Sequence, residues 1–197
     1  MSSVLRSELL GLAEYEQIRE PFRRRIMALK QARRVALGTN MTVLFENHDT
    51  ALFQVQEMLR TERITAEKAI AHELETYNEL VPGPSELSAT IFIEYAERDE
   101  RERMLVALTG VETAFYVRVA GERLPVIPDL RGTDPSRTMA VQYVKFPLSE
   151  AALAGLRSGA AEISLGVEHA AYRAELVLGA STVQSLRDDL EESVGAA

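Results

Sequence analysis

The chain has 197 residues, 46% apolar and 26% charged, which are globular proportions with length enough to bury a core. Its 22 Lys and Arg against 30 Asp and Glu leave a net charge of −8, which argues against nucleic acid or an anionic membrane surface as the main partner. It has no cysteine, which excludes disulfides, thiolate nucleophiles, cysteine-ligated iron–sulfur clusters and zinc sites that need sulfur; with no signal-like or membrane-spanning apolar run, the expected compartment is the cytoplasm.

The front of the chain reads helical. Helices are predicted over 7–19 and 21–33, separated at Glu20-Pro21 because proline disfavours a helical predecessor and suits a first helical turn. Two short extended pieces follow about Gly38-Thr39-Asn40. Asp49 or Thr50 is placed to cap a helix over 50–62, with Leu52, Val55, Met58 and Leu59 on one stripe. Another helix is expected over 66–80. Val81-Pro82-Gly83-Pro84-Ser85 then ends the helical front.

Strands dominate the back. They are expected over 87–95, 113–120, 123–128, 139–146, 162–168 and 172–178, with Pro125 marking an edge. A charged helix falls over 97–108, and a second helix runs from a Ser149 cap to Arg157. The last element is an amphipathic helix over 181–194, with Ser181 and Gln184 as a capping box and Val183, Leu186, Leu190 and Val194 as its stripe. This order gives a single α+β domain over 1–197: a helical front (1–80) packed on a mainly antiparallel sheet (87–178), closed by the C-terminal helix.

Chemistry is sparse. Neither G-x-x-x-x-G-K-[ST] nor G-x-G-x-x-G occurs, so no nucleotide is expected. No G-x-S-x-G elbow is present. The histidines are His48, His72 and His169, each beside an acid, but none forms H-E-x-x-H. Neighbouring residues diverge on a helix and face opposite ways on a strand, so His72-Glu73 and Glu168-His169 are poor chelating pairs alone. A metal site would need the fold to gather two histidines and a glutamate, with iron, zinc or manganese as the fitting ions.

Residues 19–34 carry Arg19, Arg23, Arg24, Arg25, Lys30, Arg33 and Arg34 against Glu20 alone. Such a stripe binds an acidic partner, an anionic ligand or RNA, or pairs with the chain's own acids. Glu57 flanks the stripe of its helix and is expected to be partly buried and bonded to Arg or Tyr, with Arg60 and Tyr77 as first candidates.

The blocks Arg34-Val35-Ala36-Leu37-Gly38, Gln54-Val55-Gln56-Glu57-Met58-Leu59-Arg60 and Gly166-Val167-Glu168-His169-Ala170-Ala171-Tyr172 resemble a bacterial family of uncharacterised proteins, domain-of-unknown-function family three-five-zero-one. The resemblance extends over nearly the whole chain and implies one domain of this length. Its members look like frequent genomic neighbours of rubrerythrin-like proteins and iron–sulfur oxidoreductases. It includes His169 and Tyr172 but not His48 or Asp49, which moves the candidate site toward His169.

Two functions are therefore expected. The first is a non-catalytic accessory or interaction protein of a bacterial non-haem iron redox or peroxide-handling system. Arg23, Arg24, Arg25, Arg33 and Arg34 would dock an acidic redox partner, rubrerythrin-like or an iron–sulfur oxidoreductase. The alternative is an enzyme or small-molecule binder with a His/carboxylate site: His169, Tyr172 and Glu57 for catalysis, and His169, His72 and Glu57 for a metal. Homo-oligomerisation is left open.

Overall fold

The computed structural model describes residues 3–131 and 134–195, with side chains described up to residue 190. A 3-10 turn at Arg6–Glu8 leads into α1, Leu12–Arg33. Strands β1 (Arg34–Ala36) and β2 (Met41–Glu46) form a hairpin about Gly38-Thr39-Asn40. Helices α2 (His48–Thr61) and α3 (Glu67–Asn78) follow, then β3 (Glu86–Ile93) and α4 (Arg98–Ala107). The back adds β4 (Phe115–Val119), β5 (Glu122–Pro125), β6 (Ile127–Pro128), β7 (Val141–Pro147), α5 (Glu150–Ser158), β8 (Ile163–His169), β9 (Tyr172–Val177) and α6 (Ala180–Gly195).

The fold is α+β, as the pattern predicts, but the strands divide into two antiparallel sheets. One has the order β1-β2-β3-β7-β6, the other β5-β4-β8-β9. The predicted strand over 123–128 belongs to both: β5 pairs with β4, and after Val126 the chain crosses so that β6 pairs with β7. The main core lies between the sheets, with Phe45, Ile91 and Phe146 from the first meeting Phe115, Val117 and Leu165 from the second. Leu105, Leu156 and Leu186 bring α4, α5 and α6 onto the same core.

The other face of the first sheet lies under the helical front. Central strands β2 and β3 are therefore buried on both faces almost continuously, while edge strand β9 alternates between half-buried and exposed. A second cluster ties α2 to α3 through Val55, Leu59, Ile70 and Leu74.

Helix α1 is continuous through Pro21, where a break is predicted. Pro21 is exposed on the solvent side, so the Gln17 carbonyl it leaves without a donor can bond water. Tyr15 before it and Ile26 after it are both fully buried, so each half of the helix is anchored in the interior. Asn47, rather than Asp49 or Thr50, caps α2: its side chain accepts from the Thr50 N–H, and the Thr50 hydroxyl accepts from the Asn47 N–H. Ser149 caps α5 as expected, accepting from the Ala152 N–H at 3.1 Å. Helix α6 begins at Ala180, so Ser181 lies in its first turn instead of at the cap. The Val194 side chain falls outside the described residues.

One buried polar network joins α1, β2 and α6. Arg33 is fully buried and donates to the carbonyls of Phe45 (2.8 Å) and Glu46 (3.0 Å), to the Ser185 hydroxyl (2.9 Å) and to Asp189 (2.5 Å). Asn47 donates to the other Asp189 oxygen at 3.1 Å. Burying a guanidinium demands such saturation, because each unmatched donor would lose its water without replacement.

Candidate functional site

Glu57 is half-buried and bonded to Arg and Tyr, but both partners come from α1. Arg19 forks onto it with 2.8 Å bonds to each carboxylate oxygen, and the Tyr15 hydroxyl donates at 2.8 Å. The first-named candidates lie elsewhere. Arg60 bonds Glu16, and Tyr77 lies near Gln54. Packing of α1 against α2 is the reason: Tyr15 and Arg19 sit one turn apart on its α2-facing side. The Arg19 guanidinium, against the opposing effect of burial and with help from Tyr15, holds Glu57 below the usual carboxylate range. Burial, and then the Glu57 carboxylate, push the Tyr15 hydroxyl well up. The cluster is a closed electrostatic clamp between α1 and α2.

Tyr172, at the start of β9, reaches across to the first sheet. Its hydroxyl donates to the Leu37 carbonyl at 2.7 Å and accepts from the Asn40 N–H at 3.1 Å, so it staples the β1–β2 turn. Gly38 in that turn has φ of +74°, and a Cβ there would fall 2.4 Å from the Tyr172 hydroxyl oxygen. Glycine is required twice over, by conformation and by space. His169 is half-buried, with Nε2 3.2 Å from the Thr109 carbonyl and Nδ1 accepting from the Ala171 N–H at 3.2 Å. Both ring nitrogens therefore hold backbone, with the proton on Nε2. His72 is exposed on α3.

The fold does not gather His169, His72 and Glu57. Among the described residues, no group of three or more His, Asp or Glu side chains is placed to hold a metal ion. His48 sits at the start of α2 between Glu8 (3.1 Å) and Asp49 (3.7 Å). Asp49 foremost, and then Glu8, raise its pKa above the ordinary histidine value against the effect of burial.

The basic stripe separates into inward and outward groups. Arg33 is removed from any docking surface by its complete burial. The signal was in phase: Arg33 lies seven residues after buried Ile26, on the same helix face. Arg25 pairs with Asp49 at 3.1 Å, and the Arg34 guanidinium lies 5.5 Å from the centre of the Phe92 ring. Lys30 lies 5.4 Å from the centre of the Phe53 ring. Arg23 and Arg24 are exposed and form no ion pair among the described residues.

A cleft that the sequence did not reveal opens between the end of α3 and the helix-covered face of the first sheet. Its volume is about 350 Å³. Tyr77, Leu80 and Glu79 form one wall, Ile127, Pro128 and Asp129 another, and Ser88, Tyr143 and Lys145 line the sheet side. Lys145 lies directly opposite Ser88, and Tyr143 opposite Thr90, in the β3–β7 ladder. Lys145 pairs with Glu86 at 2.6 Å, and Arg131 is held by Asp129 at 2.6 Å and by Glu79. Ser88 is 3% exposed, yet its hydroxyl has no hydrogen-bond partner among the described residues. The Tyr143 hydroxyl has none either, and burial raises its pKa.

A crystal structure of a protein of unknown function from Burkholderia pseudomallei K96243 is similar, with 34% identity and a TM-score of 0.90. The match covers 96% of this chain and 100% of that one. No curated protein matches the chain. A family model described as "Protein of unknown function (DUF3501)" matches residues 3–190. With that match spanning almost its whole length, the chain belongs to this family of proteins of unknown function.

Proposed function

We propose that the chain is a non-catalytic accessory or interaction protein, and that it docks an acidic partner through the outer face of α1. The observation that carries this reading is the state of Arg23 and Arg24. The chain has eight more acids than bases, yet these two guanidinium groups stand exposed with no ion pair among the described residues. Arg25, paired only at its edge with Asp49 and 59% exposed, adjoins them. Positive charge held apart on an acidic protein steers encounter with a negative surface.

The engagement of Tyr172, His169 and Glu57 in contacts that hold the fold supports the non-catalytic half of the reading. The partner class to test first is the one the family resemblance implies, a rubrerythrin-like or iron–sulfur oxidoreductase protein of a non-haem iron redox or peroxide-handling system. The proposed compartment is the cytoplasm, which the cysteine-free composition fits. Among the described residues no helix is long and apolar enough to cross a membrane.

The test is titration of the purified chain with each such partner by calorimetry at low and at physiological salt. Binding at micromolar concentration that weakens about tenfold or more as screening shortens is expected. Absence of binding to both partner classes, or binding indifferent to salt, overturns the reading.

A further inference from the structure

We propose that the cleft between α3 and the first sheet is a binding site for a small, uncharged, planar aromatic or heteroaromatic molecule carrying a carbonyl or hydroxyl group. The volume, about 350 Å³, lies within the usual range for small-molecule sites. Tyr77 and Tyr143 supply aromatic walls, and Leu80 and Pro128 supply apolar ones. Flat rings seat well against such surfaces.

The charge pattern selects a neutral ligand. Each cation lining the cleft is already matched: Lys145 by Glu86, and Arg131 by Asp129 and Glu79. An anion would face those carboxylates, and a cation would have to displace Arg131 or Lys145 from them. The uncommitted polar groups are two hydroxyls, of Ser88 and Tyr143, each able to donate or accept. Ser88 is the telling one. The residue as a whole is 3% exposed and no buried side-chain polar atom among the described residues is orphaned, so its hydroxyl, which has no protein partner, is open to the cleft it borders. Lys145, directly across the ladder from Ser88, keeps donors beyond the one given to Glu86. A carbonyl placed between Ser88 and Lys145 would complete both.

Three probes of matched ring size and different charge test this: benzamide, benzoate and benzylammonium. Titrations followed by protein-observed NMR should show saturable benzamide binding at about millimolar affinity, as suits a fragment of this size. The shifts should centre on Tyr77, Ser88 and Tyr143, and the two charged probes should bind more weakly. Ser88→Ala and, independently, Tyr143→Phe should each weaken benzamide about threefold to tenfold, the loss of one hydrogen bond. Tyr143 is partly exposed, so that variant retains the fold if Ser88→Ala does not. The proposal is overturned if benzamide does not saturate, if its shifts map elsewhere, if either charged probe binds more tightly, or if a folded variant binds like the parent.

Discussion

Tyr172→Phe removes a single oxygen and should destabilise the protein measurably. That oxygen donates to the carbonyl of fully buried Leu37 and accepts from the Asn40 N–H. Leaving buried polar groups without partners costs about 1–3 kcal/mol. Gly38 and Thr39 are exposed, so water can reach part of the turn, and about 1.5 kcal/mol is the working figure. For a chain of this size that is a fall of about 3–6 °C in Tm. Gly38→Ala attacks the same contact from the other side. At φ of +74° a side chain costs about 1–2 kcal/mol, and the new Cβ would collide with the Tyr172 hydroxyl oxygen at 2.4 Å. The ring must then move and its two bonds break, so the total should reach about 2–4 kcal/mol. Once the methyl group of Gly38→Ala has displaced the hydroxyl, Tyr172→Phe has little left to remove, so the pair should couple by about 1 kcal/mol. Thermal and urea unfolding of the two single variants and the double variant measure this directly. A Tm change under about 1 °C for Tyr172→Phe, or additivity within about 0.3 kcal/mol, would refute the staple.

Other perturbations have equally definite signs. Asp189→Asn leaves the Arg33 guanidinium buried without its counter-charge and should cost about 3 kcal/mol; urea midpoints decide. Glu57 has a folded pKa below its ordinary 4.5, so its ionised form stabilises the fold above that value. The stability gap between the parent and Glu57→Gln should be constant near neutrality and close as pH falls below it. His48 has the opposite sign. Its raised pKa contributes stability below the ordinary 6.5 that is lost as pH rises through the folded value. The advantage of the parent over His48→Gln should therefore shrink with increasing pH.

The elements were legible because their signals are local. The Gly38-Thr39-Asn40 turn, the Ser149 cap and the alternation of β7 are each fixed by a few adjacent residues. Pro21 misled because its cost falls on an exposed carbonyl while burial of Tyr15 and Ile26 keeps both halves of α1 aligned. The division into two sheets turns on the crossing at Val126, where β5 and β6 are separated by one residue. No periodicity marks such a step. Burial of Glu57 followed from its place beside an apolar stripe, but its partners depended on which helix packs there. The cleft was invisible for the same reason. Alternation puts Tyr143 and Lys145 on one face of β7, and only tertiary packing sets α3 across from them.

The docking face of α1 is tested most directly by charge reversal. Arg23→Glu with Arg24→Glu changes two exposed side chains that hold nothing in the fold, so Tm should stay within about 1 °C of the parent. Calorimetric titration of both proteins with one purified acidic rubrerythrin-like or iron–sulfur oxidoreductase partner then isolates the surface. The expected result is parent affinity in the micromolar range and a loss of about tenfold or more in the variant, most pronounced at low salt. Equal affinity of parent and charge-reversed variant for that partner would contradict the docking role of α1.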